Sequence, residues 1–231
     1  MLLARRSSAR SIALAACLLL VIGVLVLQLA ERARGSDASR CERFAAGSAE
    51  RAAVVTGEGR DVLVIGDSWS AGLGLDEVGT SWPSRLEGRV RVAGFSGSGF
   101  SSGASACGPQ VSFAARASAA LGAGADLVVV EGGLNDVDQT DAAIRSGFER
   151  LMRRLEGQRV VVVGPATAPS RAGRVPRVDR LLADLAEQHA AAYVPTSGLA
   201  LDYLEDRLHL TPEGHRAFGD AVAAAIAAAG V

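Results

Sequence analysis

The sequence contains no lysine and only one asparagine. All 24 cationic side chains are arginine, set against 25 acidic ones, which gives a net charge of −1 and a pI near 6.3. Nothing in that balance points to nucleic acid or to an acidic partner, so no nucleic-acid partner is expected. Together with abundant Ala and Gly, it reads as the codon bias of a GC-rich genome. There are three histidines and three cysteines. None has the spacing of a metal-binding cluster, so neither a metal nor an organic cofactor is expected. No internal repeat is present, which excludes a solenoid.

Charge is also absent from one stretch. Residues 11–30 form an uncharged run preceded by Arg5, Arg6 and Arg10. That length spans a bilayer, and the flanking cations place residues 1–10 in the cytoplasm and the remainder outside. The expected arrangement is a single-pass membrane anchor with an extracytoplasmic domain. The alternative is a signal peptide cleaved on secretion, although no A-x-A site follows Leu27. Leu14-Ala15-Ala16-Cys17 has the form of a lipoprotein box, but most of the apolar stretch follows Cys17 instead of preceding it. Cys41 and Cys107 remain outside this run, and in an oxidising compartment they are candidates for a disulfide. The alternative is two unpaired thiols.

Residues 31–59 are polar, small and charged, and read as a linker with one short helix. From residue 60 to 231 the chain alternates between strand and helix patterns. Val62–Ile65, Leu127–Val130 and Val160–Val163 are continuously apolar and β-branched, as in buried parallel strands. Val90–Ala93 is a weaker strand and Ala192–Val194 a short fifth. Between them, Ala142–Leu155 and Val178–His189 each gather apolar side chains on one face. Thr211 and Pro212 are the N-cap and first residue of a final helix. The pattern predicts an α/β fold: a three-layer α/β/α sandwich on a parallel sheet of about five strands.

Ligands of such sheets bind beyond the carboxyl ends of the strands. Ser68 follows the first strand there, Gly97 the second and Asn135 the third, and His209 lies before the final helix. Ser68 stands at an expected helix start, where helix dipole and free N–H favour a developing anion. The plainer role for such a serine is a helix cap. Asp206 and His209 are three residues apart, so one turn can bring the carboxylate to imidazole Nδ1 and fix its tautomer. The plainer reading is a surface salt link. Asn135 can donate its amide to an oxyanion, or simply form a βα turn. Asp67 is read as a loop brace, Asp136 as a cap of the next helix or a loop brace, and His189 and His215 as helix residues. Gly99-Phe100-Ser101-Ser102-Gly103 fits a rival nucleophile elbow with Ser101. However, five loop-like residues precede it and Pro109 delays the next helix.

Four stretches carry the decisive pattern: Gly66-Asp67-Ser68-Trp69, Gly94-Phe95-Ser96-Gly97, Gly133-Leu134-Asn135-Asp136 and Asp206-Arg207-Leu208-His209. In order, spacing and strand context they resemble the SGNH (GDSL) hydrolase family over about residues 60–229. The resemblance implies a flavodoxin-like fold and serine-dependent hydrolysis of carboxylic esters, of esterase or lipase type, through an acyl-enzyme. By it Ser68 is the nucleophile and an oxyanion donor, Gly97 and Asn135 complete the oxyanion hole, His209 is the base and Asp206 its partner. The second stretch departs most: members often carry an Asn shortly before it, where this chain has Val92-Ala93, so Gly99 stays open as the donor instead of Gly97. A small-molecule, glycan or lipid ester is the expected substrate. An acyltransferase on envelope glycans and a catalytically idle glycan-binding domain are the alternatives.

Overall fold

The computed structural model describes residues 3–122 and 124–230, with the side chains of residues 3–34 only in part. It divides into two compact units, Met1–Glu42 and Arg43–Val231. A long helix, α1 (Leu3–Ala52), supplies the first and enters the second. The expected membrane anchor or signal at 11–30 falls mainly on side chains outside the described residues. Among those described, no helix is long and apolar enough to cross a membrane. Leu18, Leu19 and Val26 are exposed.

The second unit is built on five parallel strands: β1 (Asp61–Gly66), β2 (Arg89–Gly94), β3 (Leu127–Glu131), β4 (Val160–Val163) and β5 (Ala192–Val194). Their order across the sheet is β2-β1-β3-β4-β5. The three continuously apolar runs occupy the centre, where both faces are covered and every residue of β3 and β4 is buried. β2 lies at an edge, which explains its weaker, alternating pattern of buried Val90 and Val92 against arginines.

Among the described residues the α-helices are α1, the single turn α2 (Ser68–Ala71), α3 (Phe113–Leu121), α4 (Asp141–Arg154), α5 (Val175–Gln188) and α6 (Pro212–Ala228). α3 packs on α4 and α4 on α5, while α6 packs on the turn Trp82–Arg85. Right-handed crossovers put these two groups on opposite faces of the sheet. Ile144, Phe148 and Leu151 of α4, and Val178, Leu182 and Leu185 of α5, are fully buried. Thr211 caps α6 by accepting the Gly214 N–H, with Pro212 in the first position.

The linker reading of 31–59 needs correction. Its first three quarters are helical to Ala52, because Ala-rich sequence without proline favours continuation. From Arg43 onward this segment belongs to the second unit. Arg51 is fully buried, Phe44 meets Phe95 edge-on at 6.4 Å, and Thr56 bridges to Val90.

Candidate active site

The chain runs from β1 to β2 on one side, then returns past β1 to β3 on the other. The crevice at the carboxyl ends of β1 and β3 is therefore the topological switch point. Ser68 leaves β1 and Asn135 follows β3, so they flank it.

α2 rests directly on the strand ends. A Cβ at Gly66 would lie 2.1 Å from Ser70 Oγ, and one at Gly94 only 2.6 Å from the Ala71 nitrogen. Both positions require glycine because backbone and helix touch. Asp67, not Ser68, caps α2: its Oδ1 accepts the Trp69 N–H at 3.0 Å. The Ser68 hydroxyl is thereby left for other partners. His209 Nε2 lies 3.1 Å from Ser68 Oγ, and His209 Nδ1 lies 2.5 Å from Asp206 Oδ2. The second Asp206 oxygen accepts the N–H groups of Leu208 and His209, both at 2.9 Å. Burial alone would raise this acid's pKa. The backbone N–H and imidazole of His209, with the Leu208 N–H, outweigh burial and hold it below the usual carboxylate value. The turn is tight enough to place Arg207 at a positive φ of 58°.

Trp69 joins nucleophile to base. Its indole N–H donates to the Leu208 carbonyl at 3.1 Å, and its ring packs edge-on against Phe218 at 5.1 Å. Asn135 donates its amide to Asp67 Oδ2 at 3.1 Å and to the Ser98 carbonyl at 2.9 Å. Both amide hydrogens are thus engaged in the free protein. Gly97 has a positive φ of 79° on the half-buried side of the β2 loop. Gly99 is buried, with Asp136 Oδ2 only 2.4 Å from where a Cβ would be. Asp136 braces that loop by accepting the Phe100 and Ser101 N–H groups at 3.0 and 2.8 Å.

Beneath the site lie groups with displaced ionisation. Burial, then the charge of Glu131, pushes the Asp67 carboxyl well above the usual range. Burial takes Glu131 up to about 7, against hydrogen bonds from Ser70, Trp82 and the Asp67 N–H. Burial likewise raises Asp136 to about 6 and lowers Arg116 to about 10. Arg116 bonds the carbonyls of Gly66, Val111 and Ala93, which ties the ends of β1 and β2 to α3.

The rival Ser101 is placed differently. It is 2 % exposed, its hydroxyl donates to Gln139 Oε1 at 3.2 Å and accepts the Gly103 N–H, and no strand runs into it. His189 ends α5 against Phe148, and His215 is buried with Nδ1 accepting the Trp82 N–H at 3.3 Å. Cys41 and Cys107 are each disulfide-bonded. Reading the sequence missed Trp69, Glu131, Arg116 and Arg51. A tryptophan directly after the serine was visible, but its tie to Leu208 spans 139 positions and has no local signature.

The family model of GDSL-like lipases and acylhydrolases matches residues 64–217, two thirds of the chain and the whole of this constellation. The chain belongs to the GDSL-like lipase/acylhydrolase family. As a member it is a serine hydrolase acting on ester bonds. No functionally curated protein matches the sequence. Among solved structures, a carbohydrate acetylesterase from Sinorhizobium meliloti superposes with a TM-score of 0.59 at 19 % identity, covering 74 % of this chain and 100 % of its own. An inhibitor-bound aryl esterase from M. smegmatis gives 0.59 at 17 %, covering 74 % and 99 %. These likenesses establish the GDSL hydrolase's fold.

Proposed function

We propose that this GDSL hydrolase cleaves carboxylic esters through an acyl-enzyme on Ser68. The observation that carries this is the unbroken line from Ser68 Oγ through His209 to Asp206, at 3.1 and 2.5 Å. His209 Nε2 takes the hydroxyl proton as Ser68 attacks the ester carbonyl, and Asp206 stabilises the imidazolium. The tetrahedral oxyanion is held by the N–H groups of Ser68 and Gly97 and by the Asn135 amide, which gives up its bond to the Ser98 carbonyl. His209 then protonates the departing alcohol. Water, activated by the same imidazole, releases the acid and regenerates Ser68.

The domain acts outside the cytoplasm, held by the apolar run 11–30. This reading is supported by the flanking arginines and by disulfide-bonded Cys41 and Cys107, which suit an oxidising compartment. Short acyl esters of envelope glycans or lipids are the proposed substrates; the acetylesterase and aryl esterase names of the structural neighbours favour a small acyl group. The test is hydrolysis of p-nitrophenyl acetate and longer esters by the full chain, with Ser68→Ala and Ser101→Ala alongside. Activity should vanish with Ser68→Ala alone. Loss only with Ser101→Ala would move the nucleophile to the rival loop. A folded protein that transfers acetyl to a glycan hydroxyl but leaves esters intact in water would favour the transferase.

A further inference from the structure

Ser70 sits two residues beyond the nucleophile, within the single turn of α2, and every polar atom of its side chain and its carbonyl is engaged. Its hydroxyl donates to Glu131 Oε2 at 2.6 Å and accepts the Trp82 indole N–H at 3.1 Å. Its carbonyl accepts the Ser81 hydroxyl at 3.1 Å. Ser81 in turn accepts the Arg51 Nε–H at 2.9 Å. Arg51 also donates from Nη1 to the Val54 carbonyl at 2.9 Å.

All the members of this chain are closed to solvent: Arg51, Ser81 and Ser70 are 0 % exposed and Glu131 2 %. Arg51 is unusual among them. No carboxylate faces it among the described ion pairs, its Nη2 has no partner, and burial lowers its pKa to about 10. Burying a guanidinium without a counter-ion is costly. A methionine or leucine would fill the same space without that cost. Arg51 also precedes the region matched by the family model, residues 64–217.

Resting on Ser68 as nucleophile, we infer that Arg51 is a positioning residue for that serine, acting through Ser81 on the Ser70 carbonyl. α2 is a single turn and has little cooperative stability of its own. Its N-terminal end is fixed by the Asp67 cap. Its other end is gripped from below by Glu131 and from the side by the Arg51–Ser81 arm. Together they set the rotation of the turn, and with it the direction of Ser68 Oγ toward His209. A misplacement of about 1 Å at such a site costs on the order of 100-fold in rate.

Two readouts test this in the full chain. The first is steady-state ester hydrolysis by Ser81→Ala, Arg51→Met, Arg51→Lys and the Ser81→Ala/Arg51→Met pair, measured well below each Tm. The second is amide hydrogen exchange at Ala71 and Leu73, whose N–H groups bond Asp67 O and Ser68 O at 2.9 and 3.0 Å. Ser81→Ala should lower kcat roughly tenfold with KM retained, as a displacement of Ser68 by less than the ~1 Å that costs ~100-fold predicts. Exchange at Ala71 and Leu73 should accelerate. Arg51→Met should do the same and Arg51→Lys less, since lysine keeps one donor. The double variant should be no worse than the more severe single one, because both remove the same link. Wild-type kcat with unchanged exchange in Ser81→Ala overturns the inference, as do additive losses in the double variant. If Arg51→Met fails to fold, Ser81→Ala decides. If wild type itself hydrolyses no ester, the proposed function falls, while the exchange rates still decide the link.

Discussion

Replacing Asp206 by Asn and by Ala should order activity and stability in opposite directions. Asp206 does two jobs with two oxygens. Oδ1 accepts the N–H groups of Leu208 and His209, and Oδ2 faces His209 Nδ1 at 2.5 Å. An Asn can orient only one way there. With its amide nitrogen toward the two backbone N–H groups it would lose both bonds and set donor against donor, at a cost of about 2–3 kcal/mol. Its oxygen therefore takes the Oδ1 place and its NH₂ faces Nδ1. That forces the imidazole proton onto Nε2, so His209 can no longer accept from Ser68. A reversed tautomer of this kind costs ~10⁴-fold in kcat. In Asp206→Ala the Leu208 and His209 N–H groups lose their side-chain acceptor, and stability falls by about 1–2 kcal/mol. The carboxylate is 48 % exposed, so water takes its place and the imidazole remains free to adopt the productive tautomer. The loss in kcat is then about 10- to 100-fold, that of one hydrogen bond to a charged group. The assays are kcat on p-nitrophenyl acetate and urea unfolding. If Asp206→Asn is as active as Asp206→Ala or more so, Asp206 does not set the tautomer of His209 and the reasoning is refuted.

Three further outcomes follow from the geometry. Asn135→Ala removes an oxyanion donor and the tie between Asp67 and the Ser98 carbonyl. It should lower kcat by about 100-fold or more, near 3 kcal/mol, and an unchanged kcat would remove Asn135 from the mechanism. Trp69→Phe keeps the ring on Phe218 but leaves the Leu208 carbonyl unpaired, so stability should fall by about 1–3 kcal/mol in urea unfolding together with kcat. Stability lost without any change in kcat would show that Trp69 does not steer His209. Burial lowers the His215 pKa from 6.5 to about 4, so the unfolded chain binds the proton first as pH falls. The His215 contribution to stability should therefore be level above pH 6.5, decline as pH falls toward 4 by up to about 3 kcal/mol, and level again below. His215→Asn keeps an acceptor for the Trp82 N–H and should lose this component of the pH dependence in thermal unfolding.

The centre of the sheet was legible because its three strands are short β-branched runs. Val62–Ile65 and Val160–Val163 have no helical alternative at that length, and the structure extends β1 by only one residue at either end. The residues brought together at the strand ends were legible for a related reason. A parallel sheet sends every βα loop to one edge, so Ser68, Gly97 and Asn135 are neighbours by topology alone. The supports beneath them were not. Ser70 to Glu131 spans 61 positions and Arg51 to Ser81 spans 30, and serine, glutamate and arginine are ordinary surface residues in a sequence. The glycines at 66 and 94 bring α2 onto the sheet closely enough to cover Ser70 and Glu131. The stretch 31–59 misled for the opposite reason. Its composition is that of a solvated segment, and its packing is decided by partners far along the chain, such as Phe95 and Val90.

Ser68 and the imidazole that activates it are 141 positions apart, the longest separation of any hydrogen bond in the site. The two halves of the chemistry are therefore also separated in time. At translation rates of ~5–20 residues per second, the serine leaves the ribosome roughly 7–28 s before its base does. During that interval the hydroxyl has no proton acceptor, and the emerging chain is inert toward esters it meets. The base reaches the serine only when the turn at Asp206–His209 and α6, about the last tenth of the polypeptide, dock against Trp69. A chain that ends before residue 209 carries the serine without its base.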